Sequence, residues 1–276
     1  MKSYYGSRVA VFFDENTFRV VPAPTTKHFA ADPIHLQGIK AVLLRFIKRQ
    51  VKRAFQPSIS LACDNYALSL LKSFHFGYLP WTSAAMRPSA LCALLNEILI
   101  NQRRMIVEFG AGISTLHVAR LMQETQGTLV SFEHDRAWCE AVSSMIEQHN
   151  LTDSVKVIHA PLENCSCSLD GCKWYNSNVV RRELAGKVLD GVIVDGPPAN
   201  GSGIHLARFP AVPVTSEYLG DTFFIFLDDI GRSGESQIFK EWEQLLQVTG
   251  SKEPNAGQFG IIRKGGGFAI KIWEPD

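Results

Sequence analysis

The chain has 276 residues, enough for one large domain or for one domain with an appended segment. With 46% hydrophobic and 20% charged residues it can bury a substantial core, which excludes a disordered chain. A formal net charge of +1 excludes a global electrostatic drive toward nucleic acid or membrane, so any charged partner has to be recognised locally.

No apolar run approaches the ~20 residues needed to span a bilayer, and the start MKSYYGSRVAVFFDEN lacks a signal-peptide cleavage pattern. The expectation is a cytoplasmic protein without a membrane span. Cys63, Cys92, Cys139, Cys165, Cys167 and Cys172 are too few for a disulfide framework. Cys165-x-Cys167 with Cys172 lacks the C-x2-C pair and the fourth ligand that a zinc site takes.

Residues 8–21 read as two β-rich runs around Asp14-Glu15-Asn16, a hairpin, broken by Pro22-Ala23-Pro24. From Ile34 to Phe55 the pattern is helical, with Ile39, Val42, Leu43, Phe46, Ile47 and Val51 on one stripe and six basic residues elsewhere. Such a helix can lie on a membrane or bind an acidic partner, but its ordinary use is to pack on its own domain or on a second subunit. A homo-oligomer through these N-terminal helices is one of the two arrangements this leaves open. Asn65 to Phe76 reads as another helix, ended by Gly77, and Ala90 to Ile100 as a third.

Met105 to Leu121, MIVEFGAGISTLHVARL, is the stretch around which the rest is organised. A buried strand, Met105 to Phe109, runs into Gly110-Ala111-Gly112 and then into a helix start. The glycines let the backbone pass close to a ligand, and the helix offers unpaired N–H groups and its positive dipole end. Glu108, at the strand's end, can accept a hydrogen bond from a cationic or hydroxylated ligand, and Ser114 and Thr115 suit a first helical turn. Replacing Gly110 with valine is expected to abolish ligand binding while leaving the fold intact. Thr128 to Phe132 is a second strand, ending in Glu133-His134-Asp135, about 20 positions beyond the glycines, where a nucleoside-binding fold holds ribose hydroxyls.

A dinucleotide fold takes a third glycine, G-x-G-x-x-G, where this chain has Thr115. The set Glu108, Gly110, Gly112, Ser114 and Thr115 instead resembles the first motif, E-x-G-x-G-x-S-T, of the class I S-adenosylmethionine-dependent methyltransferases. Glu133 matches the acidic residue that those enzymes place on the cosubstrate's ribose. The resemblance covers roughly Arg87 to Glu274. It implies an α/β fold: a Rossmann-like sheet, mostly parallel with a C-terminal antiparallel hairpin, flanked by helices. Residues 83–276 would form this S-adenosylmethionine-binding domain, and residues 1–82 an N-terminal hairpin and mainly helical extension that caps the site.

Downstream, Arg136 to Gln148 reads as a helix and Val155 to His159 as a third strand. In the resemblance, Pro161 and Leu162 beyond it lie beside the adenine, and His134 joins the cosubstrate-binding set. Asn164 to Asn178 reads as a loop, in which Trp174 and Tyr175 either approach the site or are only packed aromatics. Val188 to Val194 is a fourth strand, stopped by Asp195-Gly196-Pro197-Pro198 because the prolines cannot join a central ladder. Phe223 to Leu227 is a fifth, ending in Asp228-Asp229. Ser236 to Gln247 is amphipathic, and Gly260–Arg263 with Gly267–Trp273 make the closing hairpin.

Buried strands that end on acids point to a site, since unpaired buried charge is costly. Asp195, Asp228 and Asp229 could hold Mg2+ with water and substrate oxygens completing the shell. This resembles the metal-dependent O-methyltransferases of catechols and sugars. Asp195 then serves as a cosubstrate-binding and catalytic residue, and His205 is the base nearest in sequence. Alternatively the acids pair with Arg208 or Arg232 and hold no metal. The function implied is methyl transfer (the EC 2.1.1 class) from S-adenosylmethionine to a small-molecule acceptor, a hydroxyl oxygen of a sugar or specialised metabolite. Alternatives are metal-independent N-methylation of an amine or peptide and a non-catalytic nucleotide-fold binding protein. No basic stripe accompanies the site, so nucleic acid is not an expected partner.

Overall fold

The structure is a computed structural model. It describes three N-terminal strands by their backbone, residues 60–265, and residues 267 and 268. The helix expected over residues 34–55, and with it the expected oligomer surface, lies outside the described residues. The chain divides into two compact units, Met1–Pro57 and Ser58–Asp276.

The first unit contains a three-stranded antiparallel sheet in the order β1-β2-β3, formed by β1 (Lys2–Gly6), β2 (Val9–Asp14) and β3 (Thr17–Pro22). β2 and β3 are the hairpin read from the sequence, closing at Asp14 opposite Thr17.

The second unit begins with helix α1, residues 60–71, followed by a short 3-10 turn, Lys72–Phe74. Two devices fix this segment. Ala67, Leu71 and Leu79 are buried in the core shared with the next two helices. Asp64 pairs with Arg87 and accepts the Ser89 N–H at 3.2 Å, which satisfies a free donor in the first turn of α2 (Pro88–Ile100). Residues 58–82, assigned to the extension on sequence, therefore belong to the same compact unit as the sheet.

The main elements alternate: β4 (Met105–Phe109), α3 (Ile113–Thr125), β5 (Thr128–Glu133), α4 (Arg136–Gln148), β6 (Val155–His159). A small hairpin, β7 (Leu162–Asn164) with β8 (Lys173–Tyr175), and α5 (Ser177–Leu184) follow. Next come β9 (Leu189–Val194), α6 (Ala211–Thr215), β10 (Leu219–Leu227), α7 (Ser233–Leu246), β11 (Gly250–Glu253) and β12 (Phe259–Lys264).

Among the described residues seven strands make one sheet, in the order β11-β12-β10-β9-β4-β5-β6. β10, β9, β4, β5 and β6 pair in parallel, whereas β12 runs antiparallel to both of its neighbours. The closing hairpin is thus β11 with β12. The partner expected for it, residues 267–273, falls largely outside the described residues. The sequence reading missed β11 because Gly250-Ser251-Lys252-Glu253 has no apolar alternation: it is a polar edge strand.

Alternate side chains of the central strands serve two cores, as the period of two requires. Ile106, Phe224 and Phe226 face the core built with α2 and α3. Val107, Phe109, Ile225 and Leu227 face the other, with Trp174, Val180 and Trp242. Chain order reverses between β4 and β9: β5 and β6 lie to one side, β9 and β10 to the other. At such a switch point the loops leaving the carboxyl ends diverge and open a crevice.

Candidate active site

A cleft of about 500 Å³ lies at that crevice. Its floor is the Gly110–Ser114 turn after β4. One wall is Glu133, His134, Asp135 and Trp138 after β5; the other is Asp195, Gly196 and Pro198–Asn200 after β9, with Asp229 and Arg232 after β10. Residues 80 and 82–86, leading into α2, border it, and Tyr175 and Arg208 complete the lining.

The two glycines of the turn do different work. Gly110 has φ +98°, and a Cβ there would lie 2.9 Å from the main chain of Asp195 and Gly196, so it allows the turns after β4 and β9 to touch. Its expected replacement by valine without loss of fold is therefore corrected: the clash is with backbone, not with a ligand. Gly112 has an extended φ of −175°, and a Cβ there meets nothing within 4 Å. It is the glycine that leaves space in the cleft.

Glu108 does not reach the cleft, contrary to the expected ligand contact. It is fully buried, accepting hydrogen bonds from the hydroxyls of Ser114 at 2.7 Å, Thr115 at 2.6 Å and Ser131 at 2.6 Å. Thr115 Oγ1 in turn accepts the Gly112 N–H at 2.8 Å. The E-x-G-x-G-x-S-T pattern is thus a clasp: β4 holds the first turn of α3 by its own carboxylate. Burial raises the Glu108 pKa, and the three hydroxyls oppose that rise.

Glu133 lines the cleft with a nearly buried carboxylate. Its Oε2 accepts the Ala111 N–H at 3.1 Å, and its Oε1 accepts the Asp135 N–H at 2.7 Å and lies 2.7 Å from His134 Nδ1. This contact holds the His134 pKa above its usual value. Trp138 follows because Asp135 caps α4, accepting the Trp138 N–H at 2.8 Å, and the indole N–H then reaches the Ala111 carbonyl at 2.7 Å.

Asp195, Asp228 and Asp229 do come together, one oxygen of each lying within 4.8 Å of the others. Among the described residues this is the one group of three metal-capable side chains. Between them lies the Arg208 guanidinium, only 4% exposed. Its Nη2 lies 3.4 Å from Asp195 Oδ1 and its Nη1 3.2 Å from Asp229 Oδ2. Arg208 also donates to the carbonyls of Pro197 at 3.2 Å, Asp195 at 3.0 Å and Asp228 at 3.4 Å. Arg232 pairs with Asp229 at 2.8 Å from outside. Burial, then the neighbouring acids, drive Asp195 well above the usual carboxylate range, against the pull of Arg208. Asp228 is pushed up to about 7, by burial first and Asp229 next.

Besides Glu108 and Thr115, which make the clasp and do not line the cleft, three further expected site residues are elsewhere. The His205 imidazole is half exposed and lies 3.6 Å from Asp170, outside the cleft, because its loop turns it toward the β7–β8 connection; proximity in sequence to Asp195 did not carry over to space. Pro161 and Leu162 belong to the start of the β7–β8 hairpin, where the Pro161 carbonyl accepts the Asn176 N–H, and neither lines the cleft. Tyr175, which the sequence left between two roles, has both: its ring packs on Phe109 and Trp174, and it lines the cleft. Its buried hydroxyl has no hydrogen-bond partner among the described residues. Trp138 was missed because its placement comes from a helix cap, which leaves no periodic signal.

No protein-family model matches this chain, and no curated protein does. Among solved structures it is similar to a Staphylococcus aureus protein put forward as a caffeoyl-CoA O-methyltransferase, at 13% identity and a TM-score of 0.53, over 73% of this chain and 99% of that one. It is also similar to the SAH-bound Podospora anserina methyltransferase PaMTH1, at 13% identity and a TM-score of 0.50, over 80% of this chain and 96% of that one. At such identity the likeness is one of fold. The chain has the Rossmann-like methyltransferase fold, a mostly parallel sheet with antiparallel C-terminal strands between layers of helices.

Proposed function

We propose that this chain is an S-adenosylmethionine-dependent methyltransferase whose acceptor is a hydroxyl oxygen of a small molecule. The carrying observation is the floor and wall of the cleft: an open Gly112 on the α3 turn beside the nearly buried Glu133 carboxylate, at the switch point of the sheet. The fit of the cosubstrate rests on the same residues. The space above Gly112 is what a bulky ligand at a helix start requires. Glu133 has acceptor capacity for a ribose diol, and the unpartnered Tyr175 hydroxyl is a buried polar group awaiting a ligand's donor or acceptor. The names of the two structural neighbours, one put forward as an O-methyltransferase and one a methyltransferase bound to SAH, support the same reading.

When bound, S-adenosylmethionine supplies a methyl group on a sulfonium. The chain's own residues then have three tasks. Residues 82–86, Trp138 and Tyr175 shield the cleft from water. Asn200 and Arg232, on the wall away from Glu133, are placed to orient an acceptor. Asp195, in its ionised form, takes the acceptor's hydroxyl proton as the oxygen attacks the methyl carbon, and burial favours the protonated carboxyl that results. Pro80 and residues 82–86 border the cleft from the segment before α2, which supports a covering role for that segment.

Glu133→Ala tests the cosubstrate assignment. Calorimetry with S-adenosylhomocysteine (SAH) should show affinity reduced by about tenfold or more, the loss of a charged hydrogen-bond partner. An unchanged affinity would place the ribose contact elsewhere.

A further inference from the structure

The acidic cluster beneath the acceptor side of the cleft has the composition of a hard-cation site, but its geometry does not fit a resident metal. Mg2+ needs oxygens converging at about 2.0–2.1 Å from one centre in near-octahedral array. Here one oxygen of each carboxylate lies within 4.8 Å of the others, but the guanidinium of Arg208 already lies within 3.2 to 3.4 Å of two of the three carboxylates. Arg208 is not a side chain that a metal could readily push aside. It is buried at 4% exposure and bonded through Nε, Nη1 and Nη2 to the carbonyls of Pro197, Asp228 and Asp195. Moving it would leave those carbonyls and an uncompensated guanidinium in a dry interior. A fourth acid, Glu235, lies 3.8 Å from Arg208 Nη1 and is itself buried. The planar fork therefore already meets carboxylates on several sides, as guanidinium geometry favours and a small spherical ion does not.

We propose that Arg208 is the resident cation of this cluster, standing where a divalent metal would be held, and that it positions the Asp195 carboxylate for the reaction. The inference rests on the methyltransferase reading and deepens it by narrowing the acceptor. A metal completes its shell with substrate oxygens and so selects acceptors that can chelate, such as vicinal diols. A guanidinium saturated by its own protein offers no open coordination position. The acceptor of this site needs only one nucleophilic oxygen in reach of Asp195, and turnover needs no divalent cation. Arg208 is a positioning residue: it acts through Asp195, holding the main-chain carbonyl and one oxygen of the same residue.

The test is a Mn2+ titration of the full chain followed by electron paramagnetic resonance, with a parallel SAH titration of the same sample. The wild-type chain should take up no stoichiometric Mn2+ at concentrations up to ~1 mM, with or without SAH. Arg208→Gln removes the charge and should bind Mn2+ at least about tenfold more tightly than wild type, since a unit charge in contact with the carboxylates is gone. Arg208→Lys keeps the charge and should exclude Mn2+ as wild type does. One Mn2+ per wild-type chain at micromolar affinity overturns the proposal. Should Arg208→Gln fail to fold, the wild-type titration alone decides. SAH binding without Mn2+ uptake supports both readings. Exclusion of Mn2+ without SAH binding leaves Arg208 as the resident cation and removes the methyltransferase reading. SAH binding with stoichiometric Mn2+ does the reverse.

Discussion

A valine at position 112 would project its methyl groups into the cleft without straining the backbone, because an extended φ is open to any residue. Gly112→Val should therefore lower SAH affinity by about tenfold or more while melting close to wild type. Gly110→Ala is the contrasting variant. With φ +98° and main chain 2.9 Å from the added carbon, it should lose ~2 kcal/mol or more of stability in a denaturant titration. If the two variants exchanged behaviour, the roles given to the two glycines would be wrong. The buried acids define a second test. Asp228 and Asp195 hold protons in the folded chain at pH values where the unfolded chain has released them. The native state then binds more protons, so stability should fall as pH rises from the ordinary carboxylate range, near 3.8, through about 7. Thermal melts across that window should show the decline, and Asp228→Asn should flatten it. A wild-type midpoint that rises steadily from pH 5 to 8 would contradict the placement of these protons.

Among the elements, α2 is tied to the sheet by more than its apolar face. Glu97, fully buried, lies 3.1 Å from Arg103 and accepts from Arg263 Nε on β12 at 2.6 Å. Removing one partner of a buried ion group leaves the others uncompensated. Glu97→Ala should thus cost ~3–5 kcal/mol, readable as a shifted denaturant midpoint; a change below 1 kcal/mol would mean that the charges find water. Elements of this kind also mark how far the sequence could be read. β4, β5 and β9 were legible because parallel buried strands are near-continuous apolar runs between turn residues, and β6, a half-buried edge strand, because of its β-branched Val155, Val157 and Ile158. The Glu108 motif identified the turn but not its mechanics: the spacing of Ser114 and Thr115 says nothing of which way a carboxylate points. β11 and the β7–β8 hairpin were not legible, being short and polar or irregular, with strand state imposed by neighbours. His205 was assigned by nearness in the chain, and the loop path overrode it.

At the scale of the molecule, the site is a consequence of topology. Strand order reverses between β4 and β9, and every cleft residue after β4, β5, β9 and β10 sits at a carboxyl end, on the side where the crevice opens. Three of the acids read at strand ends, Glu133, Asp195 and Asp229, line this one cleft. What the sequence left open was whether metal or arginine balanced the acids, because that depends on a residue brought in from the connection between β9 and α6. Among the described residues no helix is long and apolar enough to cross a membrane. The most direct measurement is calorimetric titration of the full chain with SAH and, separately, with NADH. The account expects one SAH site of micromolar affinity and no uptake of NADH, since the third position of the turn is Thr115, whose hydroxyl is committed to Glu108 and Gly112. Folded protein that binds NADH, or that binds no SAH, would contradict it.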